Sequence, residues 1–221
     1  MHHDLEVQPT PEAVATAGAI FVAKRALAAV SDHGRFTFAV SGGHTPWTMF
    51  AELGREDVPW DKTVIFQVDE RVAPDGDPDR NLTHLRDALK GAPAEVQAMP
   101  VNDPDLDAAA RRYADLVPAR FDLVHLGLGP DGHTASLVPG DPVLQIRDRL
   151  VSLTQPYQNH RRMTLTYSAL ARADQLMWLI TGDDKQKPLA QLLSGDRSIP
   201  AGNVEAAHSL VLADVAAAPQ S

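Results

Sequence analysis

The segment GLGPDGHTASLVPG, residues 127–140, places Asp131 and His133 two positions apart in a glycine-rich turn. An imidazole with its ordinary pKa of about 6.5 is largely neutral at pH 7 and can take a proton from water. On spacing alone, His133 as a base and His133 as a turn residue with no chemical task stand about even. The first six residues also satisfy G-x-G-x-x-G, but a dinucleotide site needs a substantial helix after the glycines. Pro139, Gly140 and Pro142 end any such helix within two turns, and Asp131 would set a carboxylate against the pyrophosphate. A metal site is no better supported. His125 and His133 lack any recognisable ligand spacing, and His125 sits in an apolar run where a satisfied core histidine, or one that supports the site from behind, is expected.

Two further turns carry polar chemistry. In Ser41-Gly-Gly-His-Thr-Pro46 two glycines permit close backbone approach, and a helix starting near Thr45 would aim free N–H groups at an anion. A plain strand-to-helix turn capped by Thr45 fits equally well, and no Walker lysine follows. Asp69-Glu-Arg71 follows the apolar Val64-Ile-Phe-Gln-Val68. Isolated charge clusters of this kind are more often solvated edges than sites. Here a long loop and a helix cap at Asp77–Asn81 follow, which favours a site.

The elements that must hold these turns alternate. Apolar runs at 36–40, 63–68, 121–126 and 175–181 read as buried strands, with helices expected at 46–53, 81–89, 106–116 and 184–193. A long helix opens at Thr10-Pro-Glu, with Thr10 as cap and Pro11 in the first turn, and stops near Gly34. The runs at 150–154 and 162–166 have no room for a helix between them, so that pair is expected to include an antiparallel member. The pattern predicts a mostly parallel sheet with helices on both faces. In such sheets ligands bind beyond the carboxyl ends of the strands, where the three polar turns would converge.

Composition narrows the function classes. The chain has 221 residues, an apolar share of 44% and no cysteine, which excludes thiolate chemistry and disulfides and fits a reducing compartment. The net charge of −9 disfavours sequence-independent nucleic-acid binding. No unbroken apolar run approaches membrane-spanning length, and the first residues do not read as a secretory start. Nothing in the sequence marks an oligomer interface.

Four segments in order resemble the 6-phosphogluconolactonase family: SGGHTP at 41–46, FQVDERVAPDGDPDRN at 66–81, GLGPDGHTASLVPG at 127–140, and RMTLT with LITGDDK at 162–166 and 179–185. The resemblance spans most of the chain. It implies one domain over residues 1–221 with a three-layer, Rossmann-like α/β fold shared with glucosamine-6-phosphate deaminases. It also implies hydrolysis of 6-phospho-D-glucono-1,5-lactone in the cytoplasm, in the second step of the oxidative pentose phosphate pathway. No metal or organic cofactor is expected, and the only expected partner is the small sugar phosphate lactone, with no nucleic acid or membrane. The family's base falls on His133, with Asp131 orienting either the turn or the imidazole. Around the sugar phosphate the resemblance places Gly42, Gly43, Arg71, Arg162 and Lys185, with Ser41, His44, Thr45, Asp69 and Gly129 completing the set. Two positions depart from the family pattern: His44 replaces a usual Ser or Thr, and Val72 a usual bulky residue. A sugar-phosphate isomerase or deaminase with Asp69 as base, or a sugar-phosphate sensor, are the rivals on the same fold. The deaminase turn typically reads Gly-His-Ile-Ala-Phe-Asn-Glu, against Gly132-His-Thr-Ala-Ser-Leu-Val here, and no DNA-binding extension is apparent.

Overall fold

The computed structural model describes residues 2–89 and 91–219. The chain opens with β1 (Asp4–Gln8) and then α1 (Pro11–His33). The expected cap holds: Thr10 Oγ1 accepts the Ala13 N–H at 3.2 Å, Pro11 fills the first turn, and Gly34 closes the helix. Next come β2 (Phe36–Val40), α2 (His44–Leu53), β3 (Thr63–Gln67), β4 (Asp69–Arg71) and α3 (Asn81–Ala88). They are followed by β5 (Glu95–Gln97), α4 (Leu106–Leu116) and β6 (Leu123–Leu126). The last part holds β7 (Val151–Leu153), β8 (Arg162–Leu165), the one-turn α5 (Tyr167–Leu170), β9 (Gln175–Ile180), α6 (Gln186–Leu193) and β10 (His208–Asp214).

Seven strands form a parallel sheet in the order β1-β10-β9-β6-β2-β3-β5. Alternation along each strand sends side chains to two separate cores. Phe36, Phe38, Ile65, Leu123, Met177 and Leu179 face α1, α2 and α3. Val64, Phe66, Val124, Leu176, Trp178 and Ile180 face α4, α5 and α6. Each large side chain buried this way stabilises the fold by roughly 1.5–3 kcal/mol. The three-layer α/β expectation therefore describes the molecule. By length and composition α1 is apolar enough to cross a membrane, although no unbroken apolar run marks it. Here it serves as a core helix, with Val14, Ala15, Ala19, Val22 and Ala26 buried against the sheet.

Five elements differ from expectation. Asp69–Arg71 is strand β4, where a polar turn was expected, and it joins β8 and β7 in a separate antiparallel sheet. The charges fit a strand because Asp69 and Glu70 are buried and paired inside the protein. The helix expected from residue 184 begins as a 3-10 turn, Asp183–Lys185, before α6. Strands β1, β5 and β10 were not anticipated. β1 is mostly exposed and β5 has three residues, whereas the apolar stretch of β10 was legible but passed over.

Candidate active site

Strands β2 and β6 are neighbours, and from them successive strands are laid outward in opposite directions. That reversal opens a crevice at the carboxyl ends of the two strands, the place where such sheets bind ligands. Ser41 follows β2 and Gly127 follows β6, so two of the polar turns flank the crevice. A cavity of about 440 Å³ lies there. Its lining includes Ser41, Gly42, Gly43, His44, Thr45, Asp69, Arg71, Gly129, His133, Arg162 and Lys185. Asp131, the remaining expected residue, stands behind His133 and outside the lining.

The His133 corner is built locally. Gly129 N–H donates to the His133 carbonyl at 2.8 Å, and Gly132 N–H donates to the Gly129 carbonyl at 3.0 Å. No helix follows the glycines; the chain instead makes an isolated bridge between Thr134 and Leu137, so the dinucleotide pattern lacks its helix here. Asp131 Oδ1 lies 2.5 Å from His133 Nδ1 and also accepts the His133 backbone N–H at 3.1 Å. A carboxylate only accepts, so it selects the tautomer with hydrogen on Nδ1 and leaves the Nε2 lone pair unprotonated. Asp131 thus orients both the turn and the ring. Partial burial raises the Asp131 pKa, but hydrogen bonds from the His133 ring and backbone outweigh it and hold the carboxyl below its ordinary range. The imidazole lies directly over Gly129, where a Cβ would stand 2.0 Å from His133 Nδ1. Any side chain at Gly129 would displace the ring.

The cationic end is assembled across the fold. Arg71 and Arg162 are directly paired partners on β4 and β8, so two guanidinium side chains share one face of the small sheet. Like charges directly opposite one another destabilise a sheet. Burial lowers the Arg162 pKa; the Asp69 charge opposes this and the Arg71 charge adds to it. Arg71 Nη1 donates to the Asp79 carbonyl and to Asn81 Oδ1, and Arg162 Nη2 donates to Gln158 Oε1. The Nε of each is buried and, among the described residues, has no hydrogen-bond partner. Lys185 Nζ reaches the cavity from the 3-10 turn after β9 and lies 2.6 Å from Asp184 Oδ2.

The turn after β2 closes the floor. Ser41 Oγ donates to the His125 carbonyl, while Thr45 and Thr181 share a hydrogen bond at 2.9 Å. His44 begins α2; the N–H groups of His44 and Thr45 have no partner within the helix, and both residues line the cavity. A Cβ on Gly42 would sit 1.9 Å from Asn81 Oδ1, so the backbone approaches this amide closely. Asp69 Oδ2 accepts from Ser136 Oγ at 2.6 Å, and its backbone carbonyl accepts from Asn81 Nδ2 at 3.0 Å.

Asn81 and Glu70 were missed by sequence reasoning. Glu70 is fully buried, and its carboxylate accepts the N–H groups of Arg71, Asn81 and Leu82 and the Gln67 amide, all at 2.8–2.9 Å. It acts as an internal anion at the start of α3. Arg80 Nε stands 3.0 Å from Glu70 Oε2, close enough for an ion pair, although its N–H is not aimed for a hydrogen bond. Asn81 therefore lies pinned between Arg71 and Gly42. Its place at the head of α3 signals only a helix start. His125 is a core histidine that supports the site from behind through Ser41, but it is only half satisfied. Its Nδ1 accepts the Ser41 N–H at 3.3 Å, but its Nε2 is buried with no partner among the described residues. Burial pushes its pKa down to about 3, so the ring is neutral at physiological pH.

Comparison with known proteins follows this geometry. The family model described as glucosamine-6-phosphate isomerases/6-phosphogluconolactonase matches residues 9–213. A 6-phosphogluconolactonase of Nostoc sp. is 33% identical over 208 residues, covering 88% of this chain and 86% of that protein. The crystal structure of a 6-phosphogluconolactonase from Shewanella baltica superposes with a TM-score of 0.88 at 26% identity, over 97% of this chain and 98% of that one. A monomeric glucosamine-6-phosphate deaminase superposes with a TM-score of 0.85 at 18% identity, over 97% and 98% of the two chains, a likeness of fold alone.

Proposed function

The chain belongs to the glucosamine-6-phosphate isomerase/6-phosphogluconolactonase family as a lactone hydrolase, and we propose that His133 is the general base of that reaction. The substrate in this reading is 6-phospho-D-glucono-1,5-lactone and the product is 6-phospho-D-gluconate, as in the second step of the oxidative pentose phosphate pathway in the cytoplasm. The observation that carries it is one cavity holding an imidazole tied through Nδ1 at one end and two opposed guanidinium groups with unspent donors at the other.

The phosphate lies against Arg71, Arg162 and Lys185, with the Gly42–Thr45 turn donating N–H groups from the start of α2. Gripping the dianion there spends remote binding energy on orienting the ring. His133 Nε2 takes a proton from a water as the water oxygen bonds to the lactone carbonyl carbon. The carbonyl oxygen becomes an oxyanion, stabilised by backbone N–H donors of the turn after β6 that carry no bond within it. Collapse breaks the bond to the ring oxygen, which takes the proton back from His133 and leaves as the C5 hydroxyl. No group beyond water and the substrate enters the balance.

The deaminase rival needs Asp69 as a base between adjacent carbons, but its carboxylate is already engaged by Ser136. Assaying the purified chain for lactone hydrolysis and for amine release from glucosamine 6-phosphate separates the readings. Hydrolysis well above the spontaneous rate with no amine release is expected. Amine release would install the deaminase, and binding without turnover would indicate a sensor.

A further inference from the structure

The connection between β7 and β8 reaches across the cavity. Its tip is closed by a bridge between Tyr157 and His160, with Tyr157 N–H donating to the His160 carbonyl at 2.9 Å. Gln158 and Asn159 take positive φ values of 49° and 67° at the tip. Left-handed backbone at non-glycine residues costs free energy and persists only where surrounding contacts specify it. Two such contacts are visible: Gln158 Oε1 accepts from Arg162 Nη2 at 3.1 Å, and His160 Nε2 lies 3.0 Å from Asp79 Oδ2.

The result of this tip is the position of Tyr157. Its ring meets the His133 ring edge to face, with centroids 5.6 Å apart and planes at 67°. The Arg162 guanidinium carbon lies 5.1 Å from the centre of the same ring. One aromatic side chain therefore touches both the proposed base and a proposed phosphate cation. Partial burial and then the Asp131 charge raise the Tyr157 phenol above its ordinary range, which agrees with its place beside the Asp131–His133 pair.

The Asp131 bond fixes which nitrogen of His133 carries hydrogen, but one hydrogen bond leaves the ring free to tilt about it. We infer that Tyr157 is a positioning residue, an aromatic wall that removes this tilt and keeps His133 Nε2 aimed at the substrate carbonyl. The inference rests on His133 being the base. With this edge-to-face pair lost, Tyr157→Ala is expected to lower kcat by about fivefold. Because Arg162 keeps its other contacts, KM should change by no more than about twofold. Tyr157→Phe retains the ring and should keep wild-type kcat.

The test is a double-mutant cycle with His133→Gln, reading kcat and KM for lactone hydrolysis in the full chain. The expected result is a kcat loss for Tyr157→Ala that disappears in the His133→Gln background and is absent in Tyr157→Phe. If His133→Gln alone leaves kcat intact, the base assignment fails and this inference goes with it. If His133→Gln is impaired but Tyr157→Ala is not, or costs as much with His133 replaced as without, only the role of Tyr157 is overturned. A Tyr157→Phe loss equal to that of Tyr157→Ala would assign the effect to the hydroxyl and overturn the wall.

Discussion

At the His133 end of the cavity, the Asp131 carboxylate, the His133 ring and the His133 N–H satisfy one another within three residues of chain. At the other end, Arg71 and Arg162 come from strands far apart in sequence, oppose each other across β4 and β8, and keep buried donors unspent. The first arrangement satisfies its own hydrogen bonds locally and prepares a proton acceptor in advance. The second is incomplete and electrostatically tense until an anion arrives. A site that must act on a neutral carbonyl and hold a dianion gains from both, because preorganisation serves the chemistry and unsatisfied cations serve the grip.

That contrast sorts the expected effects of substitution. His133→Gln should show the largest, a kcat lower by about 10²–10⁴ with KM little changed, measured above the spontaneous lactone hydrolysis rate. Arg162→Met should act on the opposite parameter. Losing charge-assisted bonds to phosphate is expected to raise KM by about 10–100-fold while kcat holds. The same variant sharpens the point about tension: inorganic phosphate should raise the Tm of the wild type but not that of Arg162→Met. A kcat loss in Arg162→Met as deep as that in His133→Gln would erase the distinction between the ends.

Gly42→Ala comes next. Its new methyl would press on Asn81 Oδ1 and disturb the turn and Arg71 together, raising KM by roughly tenfold through overpacking. Lys185→Ala should raise KM only a few-fold, about the worth of a partly solvated ion pair, since Asp184 already competes for its ammonium. The smallest effect concerns acid. The Asp131 pKa is depressed in the folded chain, so its contribution to stability is present above the unfolded-state pKa and lost as pH falls through the folded one. Acid unfolding followed by circular dichroism should therefore show Asp131→Asn losing a component confined below the ordinary carboxylate range. A difference in stability between the two proteins that grows above pH 7 would contradict this sign.

The same contrast explains what the sequence made legible. The proposed catalytic corner lies within residues 129–133, and its glycine, acid and histidine could be weighed from spacing, although only the resemblance to known lactonases favoured base over bystander. At the cationic end the Asp69–Arg71 cluster could be weighed from the sequence, but Arg162 and Lys185 were visible only through that resemblance, and the β4–β8 pairing that joins Arg71 to Arg162 is not announced by a charged stretch. Asn81 read as part of a helix start, and Tyr157 fell in the connection between two strands with nothing to mark it, because their importance arises from tertiary contacts. The alternating sheet was legible because buried parallel strands leave continuous apolar runs. The edge strand β1 and the short β5 leave none.

A crystal structure with 6-phosphogluconate bound tests the division of the cavity most directly. The account predicts the phosphate seated between Arg71, Arg162 and Lys185, drawing on the Nε donors that are now unspent, with the C1 carboxylate about 3–3.5 Å from His133 Nε2. A phosphate lying against His133, or a product molecule outside this cavity, would contradict it.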